Sequence, residues 1–581
     1  MEKSQPSRAH ISRAAIDRLY IEMRHLIQRG RYKPRGRSGS AMIEALLDLN
    51  PEIYGSIDDP NRVELDGLLY VFERLPQGIE ECRYIKLISR EGLEESGFEP
   101  LIPAKRRRNC YRIDEEQMYV EMTRGNSDVY DILTHLTFLY NEAEKIGRNA
   151  IDTRGNINRA WKSIKKIVSK LNSEEEIDIQ VGFTYLSTLL GRTYEESAQA
   201  YEKFAKSRGV NDLFRLVYAM GRLSLEESID KDDREISFSS ALVRMLGHHI
   251  YGEKWANNIK KFLIDKGLFD RPVHVISANM HSVMSLVYAR QALGSEYEKK
   301  SVMDIAHVLS DDRNRRLREK VKEYALAHGM YELKDQSGTN LSVQIFEIDD
   351  VSLKYLKDNV KCTELGSDIT PVIIVMDYAF GEQAYETMDE LLKPLDLDGE
   401  KIPWDVQSVN VMGKAGILSG KKGDIMIPTS HVIEGRGDNY PFTNELNKGD
   451  FQNVEVDVFE GNMITVLGTS LQNKDILRYF YKSSWAAIGL EMEGAHYQKA
   501  IQANSKIRKA VSPEIQVRYA YYASDNPLHT GSTLASGSLG LDGVVPTYLI
   551  TIEIVKGILE SKCYDLSIFS SNYTLSIFRS F

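Results

Sequence analysis

Along the first 330 residues the apolar positions recur mainly at helical spacing. Ile16, Leu19, Tyr20, Met23, Leu26 and Ile27 repeat every three or four residues. Ile132, Leu136, Leu139, Ala143 and Ile146 do the same, as do Trp161, Ile164, Ile167, Val168 and Leu171. The strings GLLYVFERLP and ECRYIKLIS, at about 68–77 and 81–89, read as short strands. The segment RPVHVIS at 271–277 reads as a strand entering a helix near Asn279. A mainly α-helical N-terminal region with some β is therefore expected over 1–335.

Beyond about residue 335 the pattern changes. PVIIVM (371–376) is a short, continuous, β-branched apolar run, and GDIMIPT (423–429), NMITVLGTS (462–470) and IQVRYAYYAS (515–524) are similar. Helical patterns over 382–393, 473–484, 492–503 and 546–560 separate them. Strands buried on both faces and alternating with helices predict an α/β fold with a mixed sheet flanked by helices, over 336–562. Ligands in such sheets collect beyond the carboxyl ends of the strands. The segments 330–342 and 363–371 are candidate boundaries, and the tail 563–581 repeats LSIF without a clear pattern.

Composition narrows the class. The chain has 581 residues, 42% hydrophobic and 27% charged, enough to bury a core. A net charge of −10 argues against a general nucleic-acid binder. Cys82, Cys110, Cys362 and Cys563 are scattered with no CxxC spacing, so neither a disulfide framework nor a zinc knuckle is expected. No apolar leader or membrane-length run is present, which predicts a cytoplasmic protein without a membrane partner.

Four segments carry candidate chemistry, all in the second half. In VMGKAGIL (411–418), Gly413 and Gly416 let backbone N–H groups approach an anion, with Lys414 adding charge. A turn with a solvated lysine is the plain alternative. In Gly489-Leu490-Glu491-Met492-Glu493-Gly494, the two glutamates point the same way on a strand and diverge on a helix. A glutamate at such a turn can accept from a ribose diol; an acidic pair at a helix start is equally natural. In Ser524-Asp525-Asn526-Pro527-Leu528-His529, an aspartate leaves a strand before a Gly/Ser-rich loop from Thr530 to Gly543, as a general acid under a lid would. Asp-Asn-Pro also makes an ordinary turn. In Asp377-Tyr378-Ala379-Phe380-Gly381-Glu382, Gly381 can take a phosphate at a helix start and Glu382 can act as a base.

Taken together and in order, GKAG, GDIMIP, GTS, EMEGA and SDxP resemble the nucleoside phosphorylase and nucleosidase superfamily over about 370–560. The string Ser524–His529 and Gly468-Thr469-Ser470 are most similar to the AMP nucleosidase branch. The resemblance implies a nucleoside-phosphorylase-like catalytic domain. It implies Asp525 at N7 of the leaving purine, Glu493 on the ribose hydroxyls and Met492 under the sugar, with Glu491 beside them. It implies Gly413, Lys414, Ala415 and Gly416 facing an anion, Ser470 and Leu471 flanking the base, and Ser524 next to the acid. Asp377 and Glu382 compete to position water. A 5′-phosphate would take Lys414 first, with Arg436, His431 and His529 behind it.

Two departures matter. Phosphorylases of the superfamily place an arginine two residues before the first loop glycine and a serine after it, where this chain has Val411 and Lys414. That weakens inorganic phosphate as nucleophile. The implied reaction is hydrolysis of the N-glycosidic bond of a purine nucleotide or nucleoside, with AMP giving adenine and ribose 5-phosphate. Purine phosphorolysis and nucleotide sensing without cleavage are the alternatives. No cofactor or metal is implied; a phosphate or nucleotide effector and a homo-oligomer are.

Other features read plainly. Lys105-Arg106-Arg107-Arg108 reads as a solvated loop, and Thr-Arg-Gly-Asn, at 123–126 and 153–156, as two helix caps. His248-His249 and His274 with His281 lack metal-site spacing. No Walker A or Rossmann glycine pattern occurs.

Overall fold

A computed structural model describes residues 7–348, 370–397, 399–435, 438–452, 454–529 and 539–560. Arg436, the loop residues 530–538, most of the 363–371 boundary, Cys362, Cys563 and the tail 563–581 lie outside these. The fold is mixed α/β.

The three amphipathic patterns of the N-terminal region form the helices Arg8–Arg29, Gly125–Asn149 and Arg159–Asn172. The Gly125–Asn149 helix is enclosed on most sides. Around it lies a small sheet of β1 (Arg31–Tyr32), β2 (Tyr84–Ile88), β3 (Cys110–Arg112), β4 (Gln117–Glu121) and β5 (Glu235–Phe238), in the order β1-β5-β2-β4-β3. The string GLLYVFERLP is a helix, Leu65–Phe72, not a strand. Leu65, Leu68, Val71 and Phe72 are buried at helical spacing, and Gly67 lets the Phe138 ring approach the backbone.

The large sheet contains β6 (Val273–Ser277), β7 (Met330–Leu333), β8 (Val343–Glu347) and β9 (Val372–Met376). A separate hairpin, β10 (Leu395–Leu397) and β11 (Glu400–Ile402), follows. The large sheet resumes with β12 (Val406–Ile417), β13 (Ile425–Ile433), β14 (Asn439–Pro441), β15 (Val458–Thr465), β16 (Ala487–Glu491) and β17 (Gln516–Asp525). Its order is β14-β13-β15-β16-β12-β6-β9-β8-β7, with β17 pairing β12 and β13. The expected division at residue 335 therefore falls inside one sheet. β6 and β7, on its N-terminal side, are hydrogen-bonded among strands from its C-terminal side. A five-residue strand reached through long helical connections gives no local sign of the sheet it joins.

One detail of register creates the site. β12 is bordered by parallel β6 as far as Val411, and by antiparallel β16 from Gly416. Between these residues the carboxyl ends of β6 and β9 face the carboxyl end of β16. The helices that follow β9 and β16, Gln383–Leu392 and Gly494–Gln502, start at this gap.

The two halves share one apolar core. Leu418, Val432, Ile464, Leu471, Ile476 and Phe480 join a cluster that also contains Ile16, Leu19, Leu46 and Leu136. Asn473 fastens the same interface. Its side-chain oxygen accepts from the N–H groups of Asp475 and Ile476, capping the helix Lys474–Lys482. Its amide donates to Ser12 Oγ at 2.9 Å and to the Leu49 carbonyl at 2.7 Å. Asn473→Ala removes a cap and leaves a buried carbonyl unpaired, so stability falls by about 3 kcal/mol. Chemical denaturation measures this; a loss below about 0.5 kcal/mol, the size expected of a neutral surface change, contradicts it.

Candidate active site

Glu493 lies just before the helix Gly494–Gln502 and is buried. Its carboxylate accepts from the N–H of Gly381 at 2.9 Å and of Met492 at 3.2 Å. Burial raises its pKa, the charge of Glu491 raises it further, and these N–H groups and Arg124 act the other way. Glu491 is turned inward. It accepts from Thr465 Oγ1 and from the N–H groups of Glu493 and Gly494, so it caps the helix start. Its oxygens serve the protein's own backbone instead of a ligand, because the strand ends there and leaves those N–H groups open.

Asp525 ends β17 and accepts from Ser524 Oγ at 2.5 Å, while Ser524 Oγ also contacts the Ala415 carbonyl at 3.1 Å. Gly416 pairs with Leu490 on one side and Asp525 on the other. With strands about 4.8 Å apart, the backbones of Leu490 and Asp525 stand about 10 Å apart across the end of β12. Paired residues share a face, so Asp525 stands with Gly416 and Lys414, and Glu491 faces the opposite way.

Gly413 to Gly416 do not form a loop. They lie inside β12, hydrogen-bonded in register to β17. Gly413 is there for packing: a Cβ would come within 2.5 Å of the Tyr378 hydroxyl, which is buried with no hydrogen-bond partner among the described residues. Lys414 lines a cavity of about 770 Å³ with Asn279, His281, Arg318, Tyr522 and Tyr548. Burial lowers the Lys414 pKa and the Asp525 charge opposes this.

Met492, Ser470 and Leu471 do come together. They line a narrow cleft with Phe380 and, from the N-terminal half, Arg106 and Ser127. The space between them is about 20 Å³, room for one water.

Neither His431 nor His529 stands with Lys414 at its cavity. His431 is fully buried, stacked on Phe442 and bonded to the Tyr521 hydroxyl, and burial pushes its pKa down to about 3. His529 is exposed in a separate depression beside Lys421 and Asp457.

The Asp377–Glu382 turn is held by the N-terminal half. Glu382 accepts from the Tyr20 hydroxyl at 3.2 Å and the Asn126 amide at 3.0 Å, and its N–H donates to Ser127 Oγ at 2.8 Å. Asp377 pairs with Arg107 at 3.3 Å. The Arg106 and Arg124 guanidiniums lie 5.8 and 4.9 Å from the Phe380 ring centre. The basic run is solvated only at Lys105 and Arg107, whose side chains are 51% and 76% exposed. Arg106 and Arg108 are paired with Asp131 and Asp128, acids on successive positions of one helix face. Sequence reasoning saw the run and the first Thr-Arg-Gly-Asn string, but partners more than 250 residues away leave no local trace.

Among the described residues, no group of three or more His, Cys, Asp or Glu is arranged to hold a metal ion, and no helix is long and apolar enough to cross a membrane.

The chain belongs to a family of unknown function, DUF6909, whose model matches residues 40–298 and 302–560. No curated protein matches it. Among solved structures it is similar to a 5′-methylthioadenosine/S-adenosylhomocysteine nucleosidase of Campylobacter jejuni, at 12% identity and a TM-score of 0.29, over 50% of this chain and 99% of that one. A futalosine hydrolase of Helicobacter pylori matches at 13% identity and 0.28, over 49% and 98%. A uridine phosphorylase of Schistosoma mansoni matches at 11% and 0.29, over 53% and 90%.

Beside the site, Glu434 accepts from Gln472 and from the Leu467 N–H, and burial pushes its pKa up to about 7. The folded state holds this proton more tightly than the unfolded chain. Its contribution to stability is complete below pH 4.5 and is lost as pH rises through 7. Glu434→Gln should therefore gain on the native protein by about 3 kcal/mol between pH 5 and pH 8. Unfolding free energies across that range measure it; parallel curves for the two proteins contradict it.

Proposed function

We propose that this protein hydrolyses the N-glycosidic bond of a purine nucleotide, with AMP the preferred substrate. The reading is carried by the pairing of Gly416 with both Leu490 and Asp525, together with Glu493 fixed on Gly381. The backbones of Leu490 and Asp525 stand about 10 Å apart across β12, a scale comparable to that of a nucleoside.

The chemistry assigns each group one task. Cleavage develops negative charge on the purine and positive charge on the sugar. Asp525 gives a proton to the departing base at N7. In its ionised form Glu493 accepts from the two ribose hydroxyls and stabilises the cationic sugar. Glu382 is the base that orients water. It lines a cavity of about 50 Å³ with Tyr20, Asp17 and Thr465, room enough for a water, while Asp377 is engaged by Arg107. Met492 packs beneath the sugar. The cavity beside Lys414 and Tyr522 gives the base room on the Asp525 side. The cleft at Met492, about 20 Å³, is too narrow for a sugar as it stands.

The test is incubation of the full chain with AMP, adenosine, inosine and methylthioadenosine, with and without phosphate, followed by chromatography of the products. Free adenine and ribose 5-phosphate from AMP, without need of phosphate, are expected. Ribose 1-phosphate formed only with phosphate present contradicts hydrolysis. Asp525→Asn should lower turnover about 10²–10⁴-fold while nucleotide binding is kept. Undiminished turnover removes Asp525 from its role.

A further inference from the structure

A buried run of polar side chains leads from the central helix of the N-terminal half to the cleft at Met492. Asp131 and His135 stand one turn apart on the Gly125–Asn149 helix. His135 is fully buried. Its Nε2 faces Asp131 Oδ1 at 3.4 Å, a long contact, and finds no closer partner among the described residues. Its Nδ1 lies 2.9 Å from the Tyr54 hydroxyl. Tyr54 is fully buried too, with its ring stacked on Phe138. The turn that carries it, Glu52–Tyr54, packs on the turn Thr469–Leu471, and the Glu52 N–H donates to the Gln472 carbonyl at 3.1 Å. Across this contact the Ser470 hydroxyl bonds the Tyr54 hydroxyl. Ser470 in turn lines the cleft with Met492 and Phe380.

Counting hydrogens fixes the direction of this chain. Burial of Asp131 favours its neutral form, but the charge and hydrogen bonds of Arg106 hold its pKa well below the usual carboxylate range, so it only accepts. Burial lowers the His135 pKa, so the ring is neutral and carries one N–H. A bare Nε2 would turn its lone pair on the Asp131 carboxylate. The proton therefore sits on Nε2, and Nδ1 accepts from Tyr54. With its own proton committed, the Tyr54 oxygen accepts from Ser470. The Ser470 oxygen is left with lone pairs alone, and whatever docks on it must be a donor.

The cleft at Ser470, about 20 Å³, takes a single heavy atom. The donor groups of AMP are the two ribose hydroxyls and the exocyclic amine of the base. The hydroxyls go to Glu493 in the glycosidase reading, which leaves the amine. We propose that Ser470, oriented through Tyr54 and His135 by Asp131, accepts a hydrogen bond from the 6-amino group of the purine and so selects it over a 6-oxo purine. This rests on the glycosidase reading for the place of the sugar. A 6-oxo group brings lone pairs against lone pairs, and a buried polar contact left unmade is what makes such selection steep. Asp131, His135 and Tyr54 are positioning residues, since none touches the base. The helical half then sets which base the site accepts.

The experiment compares kcat/KM for AMP and for its 6-oxo counterpart, IMP, on the full-length protein and its Tyr54→Phe and Ser470→Ala variants. We expect the native protein to favour AMP by about tenfold or more. Tyr54→Phe frees the Ser470 proton to turn into the cleft and meet a 6-oxo group. The AMP-to-IMP ratio then falls about tenfold, chiefly by a gain on IMP, which a merely loosened site does not give. Ser470→Ala removes the hydroxyl and leaves the buried tyrosine in place; it lowers the same ratio by a loss on AMP. Melting temperatures check that both variants fold, and where Tyr54→Phe does not, Ser470→Ala decides. Parallel losses on both nucleotides overturn the proposal, as does a native preference for IMP. Variants that alter AMP against 2′-deoxy-AMP and leave the AMP-to-IMP ratio unmoved overturn it in favour of a sugar hydroxyl. Calorimetry separates this from the catalytic reading. Tighter native binding of AMP than of IMP, with the difference reduced in Ser470→Ala, supports the chain even if no base is released. Equal affinity of the native protein for AMP and IMP overturns it even if base is released.

Discussion

The left-handed backbone of Gly381 is the constraint on which the site depends. At φ +56° it turns the chain so that its own N–H reaches Glu493, while the next N–H, of Glu382, reaches Ser127. A side chain there would be strained and would strike the Ser127 hydroxyl, which lies 2.2 Å from an ideal Cβ. Both halves of the chain therefore meet on one peptide. Glu493 belongs to the strand-to-helix turn of the second half, and Ser127 to the first turn of the central helix of the first half. Fixing one fixes the other, which is why Tyr20, Asn126 and Arg107 all find partners within the same six-residue turn.

The sheet makes room for that turn by its register. Had β6 run alongside β12 to its end, hydrogen bonding would have continued past Val411 and closed the space. Instead β6 stops, and β16 enters from the opposite direction at Gly416. Two helix starts then converge on one opening from opposing sides. Their unpaired N–H groups demand acceptors, and Glu491 and Glu493 are those acceptors. Both carboxylates satisfy backbone: Glu491 accepts from the N–H groups of Glu493 and Gly494, and Glu493 from those of Gly381 and Met492.

What the sequence disclosed follows from how each element is buried. β9, β13 and β17 are buried on both faces, so their β-branched runs are continuous and stand out against the helices. The Gly125–Asn149 helix was legible by its period, although it is apolar around much of its circumference. The helix Leu65–Phe72 was not, because eight residues with a wide apolar face carry too little period to separate helix from strand. The glycines at 413 and 416 suggested a loop because a glycine gives no sign of whether it serves an anion or a tyrosine ring. The motif residues Met492, Ser470 and Leu471 could be grouped from their strings alone. Their neighbours Arg106 and Ser127 could not, since a basic run and a serine look the same whether they face water or a turn far along the chain.

The helical half acts on the site by charge as well as contact. A carboxylate as buried as Glu493, with Glu491 two residues away, favours its protonated form, which donates to a hydroxyl and does little for a cationic sugar. Arg124 is the cation that opposes this. Burial, Arg107 and Arg106 oppose the charged form of Arg124, while Asp128 and Asp377 favour it. On the proposed glycosidase reading Glu493 serves a cationic sugar only in its ionised form, so Arg124 and the N–H groups of Gly381 and Met492 all act in the direction that reading requires.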